Sequence, residues 1–172
     1  MAFDLSKLGV TKNVPKVNFT EYSGILSAPP KWGKTTMASM YPNAILLAFE
    51  KGYKAQAVNV KDINDWQDFV DFIDSLEDYR EEIGDSIQTI IIDTVNEAYP
   101  MAEPYMCKKE GIKDGKKYKD KRDIPYGQGW NLHDQYFRDQ INRIYKLGFE
   151  ITYITHSQVK TIKPKDGEEY DV

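Results

Sequence analysis

Nine residues constrain this chain more than any others: Ala28-Pro29-Pro30-Lys31-Trp32-Gly33-Lys34-Thr35-Thr36. They follow a short apolar run, Tyr22 to Ser27, and lead into helix-compatible residues, Met37 to Met40. The local order is strand, loop, helix, with Gly-Lys-Thr at the entry to the helix. Such a loop can hold an anion in three ways. Backbone N–H groups point inward around it, the helix start adds partial positive charge, and Lys34 supplies a mobile cation. The Thr35 hydroxyl can also ligate Mg²⁺, so the nucleotide-binding residues are expected across Ala28–Thr36. The general pattern is G-x-x-x-x-G-K-[ST], and Ala28 stands where its first Gly falls. Ala serves there as long as φ stays negative. The alternative is a chance loop that happens to contain Gly-Lys-Thr.

The rest of the chain reads as strands alternating with helices. Ala44 to Phe49 and Ile87 to Ile92 are almost continuous apolar runs, the pattern of strands buried on both faces of a parallel sheet. Residues 65–81 carry Trp66, Phe69, Val70, Ile73 and Leu76 at helical spacing, and 130–147 form a second amphipathic helix with Gly148 as its stop. Phe149 to Thr155 is a further strand. Residues 95–107 stay ambiguous because Pro100 and Pro104 interrupt any helix. Asp166-Gly167 between two short runs predicts a hairpin within 159–172. The expected fold is three-layer α/β with a mainly parallel central sheet. Residues 1–20 read as an arm and 21–172 as one domain, which further C-terminal strands would complete.

Composition narrows the partners. The 172 residues carry a net charge of −4, so the whole chain is not a generic basic nucleic-acid binder. One cysteine, Cys107, excludes an internal disulfide framework and suits a reducing cytoplasm. No stretch is long enough for a membrane span, and the start lacks a secretory pattern. Charge is uneven, however. Lys108, Lys109, Lys113, Lys116, Lys117, Lys119, Lys121 and Arg122 face only four acids between 108 and 123. Read as a loop, with Tyr118 inside it and Tyr126 and Trp130 beyond, this segment suits an unpaired nucleic acid strand, through phosphate contacts and base stacking. Lys160, Lys163 and Lys165 add a smaller basic set. A solvated lysine-rich loop is the competing reading.

Ligands of open α/β sheets bind beyond the carboxyl ends of the strands. Four candidates fall there: the phosphate loop, Glu50, Asp93 and His156. Asp93 is the candidate acid for Mg²⁺ and its waters. Glu50 could orient or deprotonate an attacking water, with Glu97 as rival. His156 could sense a terminal phosphate, or be structural. His133, inside the long helix, reads as a surface residue.

The phosphate loop, Phe49-Glu50-Lys51-Gly52, Asp93-Thr94, Tyr126-Gly127 and Thr155-His156 occur in an order that resembles phage-encoded RecA/RadA-like ATPases. The resemblance spans roughly residues 20–160. It implies an ATP- and Mg²⁺-dependent hydrolase with Lys34, Glu50 and His156 in catalysis, acting on single-stranded DNA in recombination or annealing. It further implies that the His156 strand lies between the phosphate-loop and Asp93 strands. DNA would face 108–123 and 159–165, a recombination partner is possible, and nucleotide would lie between subunits of a homo-oligomer in the host cytoplasm. Three other readings stay open. One is an ATP-gated module that binds single-stranded DNA or a recombinase with negligible turnover. A small-molecule kinase is less well supported, because only Arg122, Arg138 and Arg143 could furnish a lid after Pro100. A GTPase would need an Asn-Lys-x-Asp segment, which this sequence lacks.

Overall fold

A computed structural model describes residues 5–9, 11, 13–158, 161–162 and 170–171. Its centre is a five-stranded, all-parallel sheet. The strands are β1 (Gly24–Ala28), β2 (Ala44–Ala48), β3 (Asn59–Asp62), β4 (Thr89–Asp93) and β5 (Glu150–His156), in spatial order β1-β5-β4-β2-β3. The mixed α/β fold is therefore the expected one, and β5 lies between the phosphate-loop strand and the Asp93 strand. The helices are α1 (Lys34–Ala38), α2 (Trp66–Asp78), α3 (Arg80–Ile83), α4 (Val95–Asp114) and α5 (Gln128–Lys146). Two short strands, β6 (Thr161–Ile162) and β7 (Tyr170–Asp171), pair antiparallel as the predicted hairpin requires. No helix among the described residues is long and apolar enough to cross a membrane.

Strand alternation splits the core in two. Ile90 and Ile92 face the larger cluster, where Trp66, Phe69 and Ile73 of α2 meet Ala98 and Ala102 of α4 and Ile144 of α5. Ile91 faces the other side, with Leu46, Ile154 and the Ala38–Tyr41 end of the first helix. One face thus carries three long helices and the other mainly α1. The strand β3 has no counterpart in the sequence reading. It is an edge strand in which only Val60 is partly buried, so it lacks the apolar run that marks β2 and β4.

Three sequence expectations need correction. First, 95–114 is one continuous helix despite Pro100 and Pro104. The prolines are four residues apart, so they remove donors along a single stripe, and that stripe is exposed. The carbonyls that lose partners there can be hydrated. Second, 108–123 is a loop only over 115–120. Lys108, Lys109 and Lys113 ride the last turns of α4, Gly115 closes the helix in the left-handed region, and Lys121–Asp123 form a 3₁₀ turn. Third, His133 is buried, at 1% exposure, instead of lying on the surface. Its Nε2–H donates to the Tyr99 carbonyl at 2.8 Å, and its ring lies tilted against Tyr99 with centroids 4.2 Å apart. Lys121 Nζ sits 3.4 Å from its Nδ1 and also pairs with Glu103 at 3.1 Å. The 3₁₀ turn is thereby tied to both long helices.

Close approach of that turn to α5 depends on Gly129. A Cβ added there would fall 1.9 Å from the Lys121 carbonyl oxygen, a backbone atom that cannot swing away. Gly129→Ala is expected to cost about 2 kcal/mol and lower the unfolding midpoint by about 4–8 °C, measured by thermal denaturation. The lead-in segment is also attached to the body. Lys16 pairs with Glu150 at 2.5 Å, and Ser23 Oγ donates to the same carboxylate at 2.7 Å, at the start of β5.

Candidate functional site

At the carboxyl edge of the sheet, β1 runs out at Ala28 and the chain turns through Pro29–Gly33 into α1. The turn needs a positive φ twice, 68° at Lys31 and 78° at Gly33. Gly33 meets that requirement at no steric cost, at the residue that caps the helix start. Lys34 follows with its side chain folded back under the loop, at 8% exposure. Its ammonium donates to the carbonyls of Ala28 at 2.8 Å and Pro29 at 2.9 Å, and lies 3.1 Å from His156 Nδ1. An ammonium has three donors and no acceptor, so all three are engaged. His156 must then accept through an unprotonated Nδ1, leaving the Nε2 edge 3.5 Å from Glu50 Oε1.

A second pair lies one residue on. Thr35 Oγ1 donates to Asp93 Oδ2 at 2.8 Å. Asp93 ends β4 at 1% exposure, and its other oxygen, Oδ1, is buried with no hydrogen-bond partner among the described residues. Burial pushes the Asp93 carboxyl up from its ordinary range; the Thr35 hydrogen bond opposes that, and the Glu50 charge adds to it. A carboxylate oxygen without a partner beside a hydroxyl is a donor set that suits Mg²⁺, which takes few protein ligands and keeps waters or substrate phosphates for the rest. Among the described residues there is no cluster of three or more His, Cys, Asp or Glu side chains that could hold a metal alone.

Between these pairs opens a cleft of about 440 Å³, lined by the loop from Pro30 to Thr36 and, opposite, by Glu50, Gly52, Gln56 and His156. Trp32 lines it with a largely exposed indole. The structure thus brings Lys34, Thr35, Glu50, Asp93 and His156 together from four separate segments. Glu97 does not line the cleft; it sits on the exposed first turn of α4. Two residues join the site without any sequence signal. Gln56 Nε2 donates to Thr36 Oγ1 at 3.0 Å, and Asn96 Oδ1 accepts from Thr155 Oγ1 and from the His156 amide, each at 2.9 Å. Both are polar residues that stand outside the motifs themselves.

The basic segment is placed differently. Lys108 and Lys109 line a second cleft, about 580 Å³, against Asn64–Gln67 at the start of α2. That helix begins just after β3 ends, so these lysines reach the same end of the sheet as the phosphate loop, on its far side. Part of the positive charge is already neutralised: Lys113 pairs with Glu110, Lys121 with Glu103, and Arg122 with Asp120. Lys108, Lys116, Lys117 and Lys119 are exposed and form no ion pair among the described residues. Lys109 lies over the Tyr105 ring at 5.0 Å. Tyr126 is 97% exposed, and Lys160 falls outside the described residues. Cys107 is buried beside Met106 and Ile124.

The parallel sheet and the Gly-Lys-Thr loop at its carboxyl edge define a nucleotide-binding α/β protein of the phosphate-loop class. Within that class the chain belongs to the AAA domain family (AAA_24), whose pattern matches residues 20–172. It is an ATP-binding domain of the ATPase type. It is also similar to the SPbeta prophage-derived uncharacterized protein YorG of Bacillus subtilis (strain 168), with 32% identity over 130 residues. That match takes in 73% of this chain and 38% of the relative, so the chain spans well under half of the relative's length.

Proposed function

We propose that this AAA domain is a Mg²⁺-dependent ATPase of RecA/RadA-like character, whose nucleotide state controls its grip on single-stranded DNA in phage recombination or annealing. One observation carries the reading: Glu50 contacts His156, His156 contacts Lys34, and the next residue, Thr35, pairs with Asp93. On nucleotide binding, Lys34 exchanges its carbonyl and imidazole partners for phosphate oxygens and offsets their charge. Thr35 and Asp93 would hold Mg²⁺, which when bound neutralises charge on the phosphates. Glu50 orients the attacking water or takes its proton. His156, released by Lys34, contacts the terminal phosphate. Lys108, Lys116, Lys117, Lys119 and Tyr126 are accessible for phosphate contact and base stacking. The similarity to a prophage-derived protein favours the phage setting.

The alternative is an ATP-gated module that binds single-stranded DNA or a recombinase and turns over negligibly. A specific observation favours it: the cations lining the cleft are Lys31 and Lys34, with no arginine among the lining residues. A neighbouring subunit in a homo-oligomer would then have to supply the further cation. Phosphate release, titrated with single-stranded DNA at two salt concentrations, separates the readings. A several-fold stimulation that weakens at high salt is expected, since each phosphate contact adds to the salt dependence. Tight ATP binding with no release at any DNA concentration would establish the module instead.

A further inference from the structure

Asn96 has a place that neither the loop nor the strand-end acids explain. Along β5, main-chain N–H groups point alternately to the two neighbouring strands. The Ser157 amide donates to Ala28 O of β1 at 3.2 Å, so the His156 amide points the other way, toward β4. Yet β4 pairs with β5 only as far as Asp93 opposite Ile154. The His156 N–H therefore emerges where its ladder partner has ended. Asn96, in the first turn of α4, fills that gap: its Oδ1 accepts from the His156 amide and from Thr155 Oγ1, both at 2.9 Å. A main-chain amide can only donate, so the oxygen of the Asn96 side chain must be the atom that faces it.

We propose that Asn96 is a positioning residue for His156: it extends the sheet ladder by one side-chain acceptor and thereby fixes the imidazole between Lys34 and Glu50. The proposal rests on the ATPase reading for its consequence in turnover, but not for its structural content. Without Asn96, the last residue of β5 is held on one side only, by the pairing of Ala28 with His156. The ring then loses its fixed distances of 3.1 Å to Lys34 and 3.5 Å to Glu50. Because Asn96 and Asp93 bracket the turn into α4, the same contact ties the nucleotide cleft to the helix that carries Lys108 and Lys109.

The test uses Asn96→Ala in the full chain with two readouts. The first needs no nucleotide. Ring ¹⁵N spectra and amide exchange at His156 are expected to show a single tautomer, protonated at Nε2, with a protected amide in the wild type. In the variant, tautomer averaging and at least about tenfold faster amide exchange are expected, with an unchanged unfolding midpoint. The second compares ATP affinity with turnover. Affinity is expected to stay within about threefold, because Lys34 and Thr35 are untouched, while turnover falls at least about tenfold. Wild-type ring signals and amide exchange in Asn96→Ala would overturn the proposal. If the wild type binds no nucleotide, the ATPase reading fails, and the ring spectra still decide the role of Asn96.

Discussion

Lys34→Ala is expected to weaken ATP binding by about 100-fold or more and to remove measurable hydrolysis. The Lys34 ammonium is held by two backbone carbonyls and His156 within 3.1 Å. Those bonds keep the cation under the loop, ready to be handed to phosphate oxygens. Two charge-assisted bonds at about 1.5–3 kcal/mol each account for the loss of affinity. The fold should survive, since the Ala28 carbonyl keeps its bond from Ser157 and the remaining space opens to the cleft. Calorimetric titration with a nonhydrolysable ATP analogue measures the change. Wild-type affinity in the variant would remove the basis for nucleotide binding at this loop.

Asp93→Asn is expected to act in opposite directions on stability and activity. Asp93 is buried with one oxygen unpartnered, and its carboxyl titrates above the ordinary range because burial disfavours the charge. A carboxyl whose folded pKa is raised contributes stability that is fully present below its unfolded pKa. That stability is lost as pH rises through the folded value. At neutral pH the wild type therefore bears the cost of a buried carboxylate, and the neutral amide does not. The nucleotide-free variant should melt higher than the wild type at pH 7. The gap should shrink as pH falls through the titration of Asp93 and vanish in acid. With ATP present the order reverses: the variant loses the Mg²⁺-dependent gain in stability and about 100-fold or more in turnover, because no carboxylate remains beside Thr35. Melting curves across pH, with and without Mg²⁺ and nucleotide, decide both halves. A variant that melts lower than the wild type without nucleotide would show that the Asp93 charge is compensated in the fold.

Such buried charge is a common cost of function. Under the proposed function, the wild-type carboxylate is expected to be less favourable for the fold than its uncharged counterpart because of the Mg²⁺ it would hold. The same logic explains the back-folded Lys34, which is satisfied by the Ala28 and Pro29 carbonyls and by His156. Each group is held in a state that a polyphosphate would improve.

Much of this architecture was legible in the residues. The apolar runs ending at Phe49 and Asp93 identify buried parallel strands, because a strand covered on both faces tolerates few polar side chains. Gly33 identifies the helix entry, because the left-handed turn there disfavours other residues. The acids and the histidine at the strand ends fall at the edge where parallel sheets place ligands. The parts that stayed hidden are of a different kind. Edge strand β3 was invisible because only one of its side chains is partly buried. Two prolines concealed α4, because the sequence cannot say that their stripe faces water. The lysines of 108–123 read as one free basic loop, although Glu103, Glu110 and Asp120 each occupy one of its cations.

The sequence alone determined which residues could grip a phosphate and which strands could carry them, since loop geometry and strand burial are properties of a few consecutive residues. Only the tertiary structure decided how those residues face one another. His156 meets Lys34 across 122 positions, and Asn96 meets the end of β5 across 60. No local pattern encodes such pairs. They follow from the strand order β1-β5-β4, which sets the carboxyl ends of three distant segments side by side.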